Sequence, residues 1–403
     1  MKRKLDLRTG KPVWMAYRAP SVPTSNLTRD VKTDVLVVGM GISGAMIAEA
    51  LSSEGLAVIA IDRRGAMIGS TPATTALVQY EIDQPLTALS RKIGKDKAET
   101  AWRRSRLAVA NLSARIDELG IPCNKALRPS LLVAGNVLGS GGLREEAEAR
   151  RAAGLYATYL TAGDLQDRFA IDRDGAIVSP DNLALDPRKL TAGLLLKAGQ
   201  RGARFYAPVE ATTFESDKEG VRVATRGGPV ISAAHVVIAS GYELTDIVPS
   251  GNHSVVSTWA IATRPQSRAL WPEEAFIWEA SDPYLYMRAT VDGRVICGGE
   301  DEEFSDEAAR DALIPEKTAR ISEKLAKLMP GIDPRADYAW AGSFGTTSTG
   351  LPIIGRVPRR PNIHAVMGYG GNGITFSRAA AEIVTADITG SRDTDAALFA
   401  FST

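Results

Sequence analysis

Short apolar, β-branched runs alternate along this chain with stretches of helical period, and the first such unit is the clearest. Val35, Val37 and Val38 lie in an apolar run that stops at Gly39-Met40-Gly41-Ile42-Ser43-Gly44. A helical stretch follows, and then a second strand, Val58–Ile61, ending at Asp62. Further on, Ala98, Trp102, Leu107, Leu112, Ile116 and Leu119 keep helical spacing and predict a helix over 95–119 that ends at Gly120 and Pro122. A short strand is expected at 130–134 and a charged helix at 143–153. Asp186-Pro187 opens another helix, 188–201, with Asp186 as N-cap and Pro187 at the first helical position. Strands are expected at 204–207, 221–223 and 236–239, the last stopping at Ser240-Gly241. From 254 to 298 the pattern turns to β, with strands at 255–263, 285–289 and 295–298 and Asp292-Gly293 as a hairpin signal. An amphipathic helix is expected at 315–329. The chain then repeats its opening theme: a strand at 363–366, the loop Gly368-Tyr369-Gly370-Gly371-Asn372-Gly373, and a helix over 374–388. The first 33 residues are polar and rich in turn formers, and 1–29 read as an arm over the body, with Trp14 and Tyr17 as its large aromatics.

Strand, glycine turn, helix, strand and acid in this order make a βαβ dinucleotide-binding unit. Gly39 allows the tight turn, Gly41 lets the backbone approach a pyrophosphate, and Gly44 lets helix and strand pack closely. The helix N-terminus offers unpaired N–H groups to phosphates. Asp62 is placed to accept hydrogen bonds from the adenosine ribose.

Charge and composition narrow the class. Forty-eight Lys and Arg against 47 Asp and Glu leave no global field to recruit nucleic acid or an anionic membrane. At 403 residues the chain can bury a large core and is expected to form two domains. Cys123 and Cys297 are far apart, which suits a reducing compartment and predicts no structural disulfide. Lys2, Arg3 and Lys4 run straight into Leu5-Asp6-Leu7-Arg8, so no secretory apolar region follows the basic start. The longest apolar stretch is the nucleotide motif, whose glycines, Ser43 and Glu49 argue against a membrane span. A soluble, cytoplasmic enzyme without a metal site is expected.

The second glycine loop changes the picture from dinucleotide to flavin. A helix starting at Ile374 points its N-terminus back at the loop, and such an end stabilises negative charge. In a flavoenzyme that charge sits on N1 and O2 of the reduced ring. With GMGISG and Asp62, the middle VVIASGYE and the C-terminal GLPIIGR … NIHAVMGYGGNGITFSRAAAEIVTADITG, the chain resembles the FAD-dependent D-amino-acid oxidase superfamily over about residues 30 to 392. That group includes glycine and sarcosine oxidases, D-amino-acid dehydrogenases and γ-glutamylputrescine oxidase. The resemblance implies an α/β (α+β) fold in which a discontinuous Rossmann-like FAD-binding domain (30–83, 150–250 and 346–403) carries an inserted, mostly β substrate domain (84–149 and 251–345). It implies that Gly39, Gly41, Ile42, Ser43 and Gly44 line the FAD pyrophosphate, Asp62 the ribose, and Arg63 or Arg64 the adenosine side. Gly69, Ser70, Thr71, Thr74 and Thr75 would lie by the pyrophosphate and ring. Val209 would meet adenine through its backbone, with Ala239 and Gly241 closing that side. Gly371, Asn372, Gly373 and Ile374 would face the flavin's pyrimidine edge.

Departures from the family pattern matter as much. Ala339-Trp340-Ala341-Gly342-Ser343-Phe344 holds no cysteine where some relatives attach FAD, and Cys297 reads as a core thiol, so non-covalent FAD is expected. No lysine occurs between Lys218 and Lys317, and Lys317, Lys324 and Lys327 read as solvated positions on a helix. Without a lysine over the flavin to activate oxygen, a carrier or quinone becomes a serious alternative to O2 as electron acceptor. His235, His253 and His364 read as structural, which costs little because amine oxidation by hydride transfer to flavin N5 depends on positioning and flavin electronics.

For the substrate, alternation puts Tyr284, Tyr286 and Arg288 on one side of a strand. Arg288 is then the candidate partner for a substrate carboxylate. Tyr80, Trp340 and Phe344 are candidate walls, and Glu300 or Asp301 could contact a cationic substrate. The function expected is oxidation of a C–N bond in an amino acid or amine, giving an imine that hydrolyses. The alternatives are a carrier-linked dehydrogenase of a C–OH substrate (a 2-hydroxy acid or polyol phosphate) and a flavin-binding subunit of a larger complex.

Overall fold

Parallel pairing around the first strand builds one of two sheets in the computed structural model, which describes residues 6–401. The basic start at Lys2–Lys4 lies outside the described residues. Val31–Val38 lies between Val58–Ile61 and Val230–Ile238, with Arg204–Tyr206 beyond the former and Ile363–Met367 beyond the latter. All five run parallel, and Ile353–Arg356 closes one edge antiparallel. Val58–Ile61 is buried at every position, as a strand covered on both faces must be. The helices Ile42–Ser53, Pro187–Gln200, Gly373–Ile388 and Lys95–Leu119 pack together beside this sheet. An antiparallel pair, Ala211–Ser216 and Val221–Thr225, extends from Val230–Ile238.

The second sheet has ten strands. Its order is Arg8–Gly10, Ala336–Thr347, His253–Thr263, Val295–Glu302, Leu285–Ala289, Phe276–Glu279, Ala126–Val133, Gly175–Ala184 and Leu77–Val78, with Thr158–Thr161 paired beside Gly175–Ala184. Helix Ile314–Leu328 covers one face through Ile321, Leu325 and Leu328, packed with Trp259, Ile261 and Cys297. The opposite face turns toward the first sheet and the groove between them.

Local chemistry explains the sharp boundaries. Lys95–Leu119 ends at Gly120, which takes a left-handed conformation (φ +60°) and turns the chain out of the helix. The Asp186 carboxylate accepts the N–H groups of Arg188 and Lys189 at 2.9 and 3.0 Å, with Pro187 in the first turn. Thr158–Thr161 and Gly175–Ala184, expected at 150–250 with the cofactor part, hydrogen-bond instead into the ten-stranded sheet. Pro180 and Asp181 (φ +70°) interrupt the alternation there, so the strand period is hidden in the sequence. The arm is more than a cover: Arg8–Gly10 is an edge strand, and Trp14 is buried in the core. Both cysteines are free and buried, and among the described residues no helix is long and apolar enough to cross a membrane.

Candidate functional site

A groove between the sheets opens into two adjoining cavities that share Ile42, Ser43, Ser70, Thr71 and Gly241. Counted out to open solvent they hold about 1130 and 1190 Å³. At the first, Gly39 sits at φ +116° against the Ala239 carbonyl, where a side chain would collide. A Cβ on Gly41 would meet Thr71 Oγ1 at 3.3 Å and otherwise point into open space. The Thr71 hydroxyl accepts the Ile42 N–H at 3.1 Å, so the start of helix Ile42–Ser53 is tied to the small-residue segment. Asp62 accepts the N–H groups of Met40, Arg64 and Gly65 at 2.9, 2.7 and 3.0 Å. A carboxylate has room for about four such bonds, so one more donor can still reach it from the cavity. Arg64 forks onto Glu243 at 2.5 and 2.7 Å, and Arg63 pairs with the same carboxylate. Gly69, Ser70, Val209, Ala239 and Gly241 complete this wall, the Val209 N–H being donated to the Asp62 carbonyl.

The segment from Gly69 to Ala76 forms the floor, and side-chain donors fix four of its carbonyls. Arg8 Nε donates to Gly69 O at 3.2 Å, Trp340 Nε1 to Ala73 O at 2.8 Å, Trp14 Nε1 to Thr74 O at 2.6 Å, and Arg288 Nη1 to Ala76 O at 2.7 Å. With the carbonyls turned away, Thr71, Thr74 and Thr75 line the groove.

The second cavity is built on the other glycine loop. Gly371, Asn372, Gly373 and Ile374 line it, and nothing lies within 4 Å of a Cβ on Gly373. The Asn372 amide does not cap its helix; it donates to Glu81 O at 2.8 Å, and Thr375 donates to Gln79 O at 2.7 Å, locking the loop to residues 79–81. The Gly371 N–H, expected at a flavin edge, donates to Asp83 Oδ2 at 2.7 Å. Across the cavity stand Trp278, Tyr284, Tyr286, Phe344 and Tyr369. A bulge sets their acid. Gly299 (φ +141°) and Glu300 (φ +59°) insert one extra residue opposite Ser257–Trp259. Such an insertion re-aims side chains. Glu300 therefore meets Lys317, Lys324 and Arg320 on the helix face, whereas Asp301 meets Tyr284, whose hydroxyl donates to Oδ2 at 2.7 Å, and lies beside Thr258. Burial pushes the Asp301 carboxyl up to about 6, with the Thr258 and Tyr284 hydroxyls opposing that shift and the charge of Asp83 adding to it. Burial also raises Asp83, against the Gly371 N–H.

Most of the predicted cofactor positions thus come together, but four predicted residues lie elsewhere. Gly44 lines neither cavity; a Cβ there would strike Gly39 O, so its role is helix-to-strand packing. Arg288 shares a face with Tyr286 but, two residues along, dives under the floor segment. It donates to Ala76, Leu185 and Ala289 carbonyls and lies over the Trp14 and Phe276 rings, away from any substrate position. Burial lowers it to about 10. Tyr80 is core: its hydroxyl donates to Tyr156 O at 3.0 Å and its ring meets Trp102 edge-on. Trp340 is buried behind Ala73. Of the proposed walls, Tyr286 and Phe344 line the cavity. Lys317 is not solvated; it is buried, donates to Glu300 O at 3.1 Å and pairs with Glu302 at 2.5 Å on the sheet face opposite the groove. His364 is buried against Asp387 at 2.6 Å, away from both cavities. Sequence reasoning missed Glu243 and Asp83. Glu243 was readable as an acid beside the Ser240-Gly241 turn with two arginines to neutralise, while nothing periodic marks Asp83.

The residues present fit a flavin dinucleotide. The groove runs from the Asp62 carboxylate to the Gly373 helix end, with glycines 41 and 373 leaving room where each helix N-terminus meets it. Gln79 Nε2 and the Tyr369 hydroxyl in the second cavity, and Thr245 Oγ1 in the first, have no protein hydrogen-bond partner. A nucleotide-binding sheet joined through this groove to a second, ten-stranded sheet defines a flavin-dependent oxidoreductase. The chain belongs to the DAO family, FAD dependent oxidoreductase, whose model matches residues 34–387. It is similar to a γ-glutamylputrescine oxidoreductase of Escherichia coli (strain K12), 25% identical over 376 residues covering 90% of this chain and 85% of the relative. A D-amino acid dehydrogenase of Vibrio atlanticus (strain LGP32) is 24% identical over 411 residues, 89% of this chain and 96% of the relative. The fold matches glycine oxidase from Geobacillus kaustophilus with TM-score 0.75 and 20% identity over 92% of this chain and 98% of that one. It also matches L-proline dehydrogenase from P. horikoshii with TM-score 0.77 and 19% identity over 92% and 97%.

Proposed function

We propose that this enzyme oxidises a C–N bond of an amine or amino acid, with FAD held non-covalently along the groove. The observation that carries the reading is the second cavity, where aromatic side chains and the Asp83 carboxylate face the glycine loop that begins helix Gly373–Ile388. When bound there, FAD supplies a two-electron acceptor at ring N5. An ammonium substrate first loses one proton to water; a hydride then leaves the α-carbon of the neutral amine, the nitrogen lone pair forms C=N, the remaining iminium N–H proton passes to water, and the imine hydrolyses to a carbonyl compound and the freed amine. The chain's part is positional: Tyr284, Tyr286 and Phe344 shape the substrate wall, and the braced floor holds Thr74 and Thr75 in place.

Non-covalent binding is supported by the cysteines. Neither lines the groove, Cys297 sits in the core against helix Ile314–Leu328, and burial drives its thiol strongly upward. Two buried free thiols also suit a cytoplasmic setting. Among the described residues no lysine lines the second cavity, which favours a carrier such as a quinone over O2 as electron acceptor. The test is anaerobic loss of the flavin band near ~450 nm with D- and L-amino acids, N-methyl amino acids, polyamines and hydroxy acids, followed by air. Bleaching by a C–N compound with slow recovery is expected. Bleaching by hydroxy acids alone overturns the reading, and fast recovery in air overturns the choice of acceptor. Acid precipitation should release all the flavin into the supernatant; flavin retained in the pellet would refute non-covalent attachment.

A further inference from the structure

Resting on that reading, we infer that the substrate is a cationic amine with no carboxylate at its reacting end, held by Asp301 and Asp83 between aromatic walls. The lining of the second cavity is the first reason. Among the described residues it includes no Arg, Lys or His, and its charged member is Asp83. The arginine positioned by strand alternation to meet a carboxylate, Arg288, is spent on three backbone carbonyls. The cations of the neighbouring helix, Lys317, Arg320 and Lys324, pair instead with Glu300 and Glu302 on the opposite face of the sheet. A carboxylate entering this cavity would meet Asp83 on the wall, with Asp301 behind the Tyr284 hydroxyl, and no counter-charge among the lining residues, a repulsion that a low-dielectric site amplifies.

The groups that remain suit an ammonium ion. Asp301 is largely enclosed, accepts one hydrogen bond from Tyr284, and has its other oxygen, Oδ1, without a partner. Thr258 Oγ1 stands on the cavity wall beside this carboxylate. Asp83 keeps acceptor capacity beyond its one bond to Gly371. Ring faces attract cations, and the Tyr284 and Tyr286 rings lie together with centroids 5.6 Å apart. Each carboxyl is destabilised as an anion by burial, and the charge of Asp83 further opposes the ionisation of Asp301. A bound cation relieves both penalties at once.

Two isosteric probes without an α-hydrogen test this without turnover: tert-butylammonium and pivalate, with tert-butanol as the neutral control. Each is titrated into oxidised holoenzyme, and binding is read from the perturbed flavin spectrum. The expected result is at least tenfold tighter binding of tert-butylammonium than of pivalate. Asp301→Asn should weaken tert-butylammonium tenfold or more and leave tert-butanol unchanged; Asp83→Asn should act in the same direction, which covers the case that the first variant misfolds. Equal or tighter binding of pivalate overturns the inference, as does an unchanged tert-butylammonium affinity in both variants. The C–N reading fails separately: a cation preference with no anaerobic bleaching by any amine would sink that reading while leaving the cation site standing. Bleaching by α-amino acids together with a pivalate preference would do the reverse.

Discussion

At the Asp62 end of the groove the charges are satisfied by the chain itself: Arg63 and Arg64 meet Glu243, and Asp62 takes three backbone N–H groups. At the Asp301 end Asp83 lines the cavity with Tyr284, Tyr286 and Trp278, Asp301 accepts the Tyr284 hydroxyl, and no cation stands on the wall among the described residues. The first arrangement is rigid before anything binds, as a site for a resident cofactor should be. The second leaves polar capacity open, as a site for a visiting ligand does. A ligand that neutralises the open end gains both its own contacts and the relief of strained ionisation, whereas the closed end has little left to gain beyond shape.

The comparison breaks most violently at the glycines. Gly44→Val places side-chain carbon against Gly39 O and should cost about 3 kcal/mol or more, seen as a lowered urea midpoint of the FAD-free protein. Gly41→Leu fills open space instead, so the fold should survive while the purified protein loses most of its flavin absorbance. If Gly41→Leu kept its full flavin content, the first cavity would not be the nucleotide site.

Arg288→Met comes next. It removes the donors on Ala76 and Leu185 carbonyls in a dry setting. Leaving buried acceptors unmet should destabilise by about 2–4 kcal/mol, read in thermal melts. The ratio of tert-butylammonium to pivalate affinity should stay the same; a variant that instead lost pivalate binding selectively would restore Arg288 as a carboxylate partner. Trp14→Phe should be milder. It drops one hydrogen bond to Thr74 O while keeping most of the packing, at about 1 kcal/mol, and should quicken flavin loss on dilution because it loosens the floor.

These two ends were also unequally legible in the sequence. The Asp62 end is made of backbone: glycines at fixed offsets, helix starts, and an acid at the end of a strand, all of which leave local patterns. Nearly every residue named for it lines the groove. The Asp301 end is made of side chains whose direction depends on long-range pairing. Strand period put Tyr284, Tyr286 and Arg288 on one face correctly. What decides Arg288, however, is the floor segment, contributed by residues 69–76, and Trp14 from the arm, neither of which any local period connects to that strand. Asp301 could not be told from Glu300 as the contact for a cationic substrate because the bulge at Gly299 and Glu300 is a conformational event; simple alternation misassigns every residue beyond it. The strand Gly175–Ala184 was lost for a similar reason, its pattern being broken at Pro180 and Asp181.

The smallest effect is the sharpest test, because one group gives two pH dependences of opposite sign. The raised carboxyl of Asp301 binds its proton more tightly in the folded protein than in the unfolded chain, where an aspartate titrates near ~3.9. Between those values the native state holds more protons, so stability of the ligand-free protein falls as pH rises from about 4 to about 6, then levels off. Water in the open cavity screens the effect to about 1 kcal/mol. Asp301→Asn should lack this slope, and subtracting its melting curves from the wild type's isolates it, since Asp83 is raised in both proteins. Cation binding runs the other way: tert-butylammonium affinity should climb as Asp301 ionises through about pH 6 and then plateau. The groups facing Asp301 that set this midpoint are Tyr284 and Tyr286, Thr258 on the neighbouring strand, Asp83 from the loop after the floor segment, and the more distant Lys317 of helix Ile314–Leu328. The tyrosines are held neutral by burial throughout this range, so the titration belongs to the two acids. If stability and cation affinity rose together with pH, Asp301 would already have a counter-ion within the protein, and the contrast between the two ends of the groove would be wrong at its central residue.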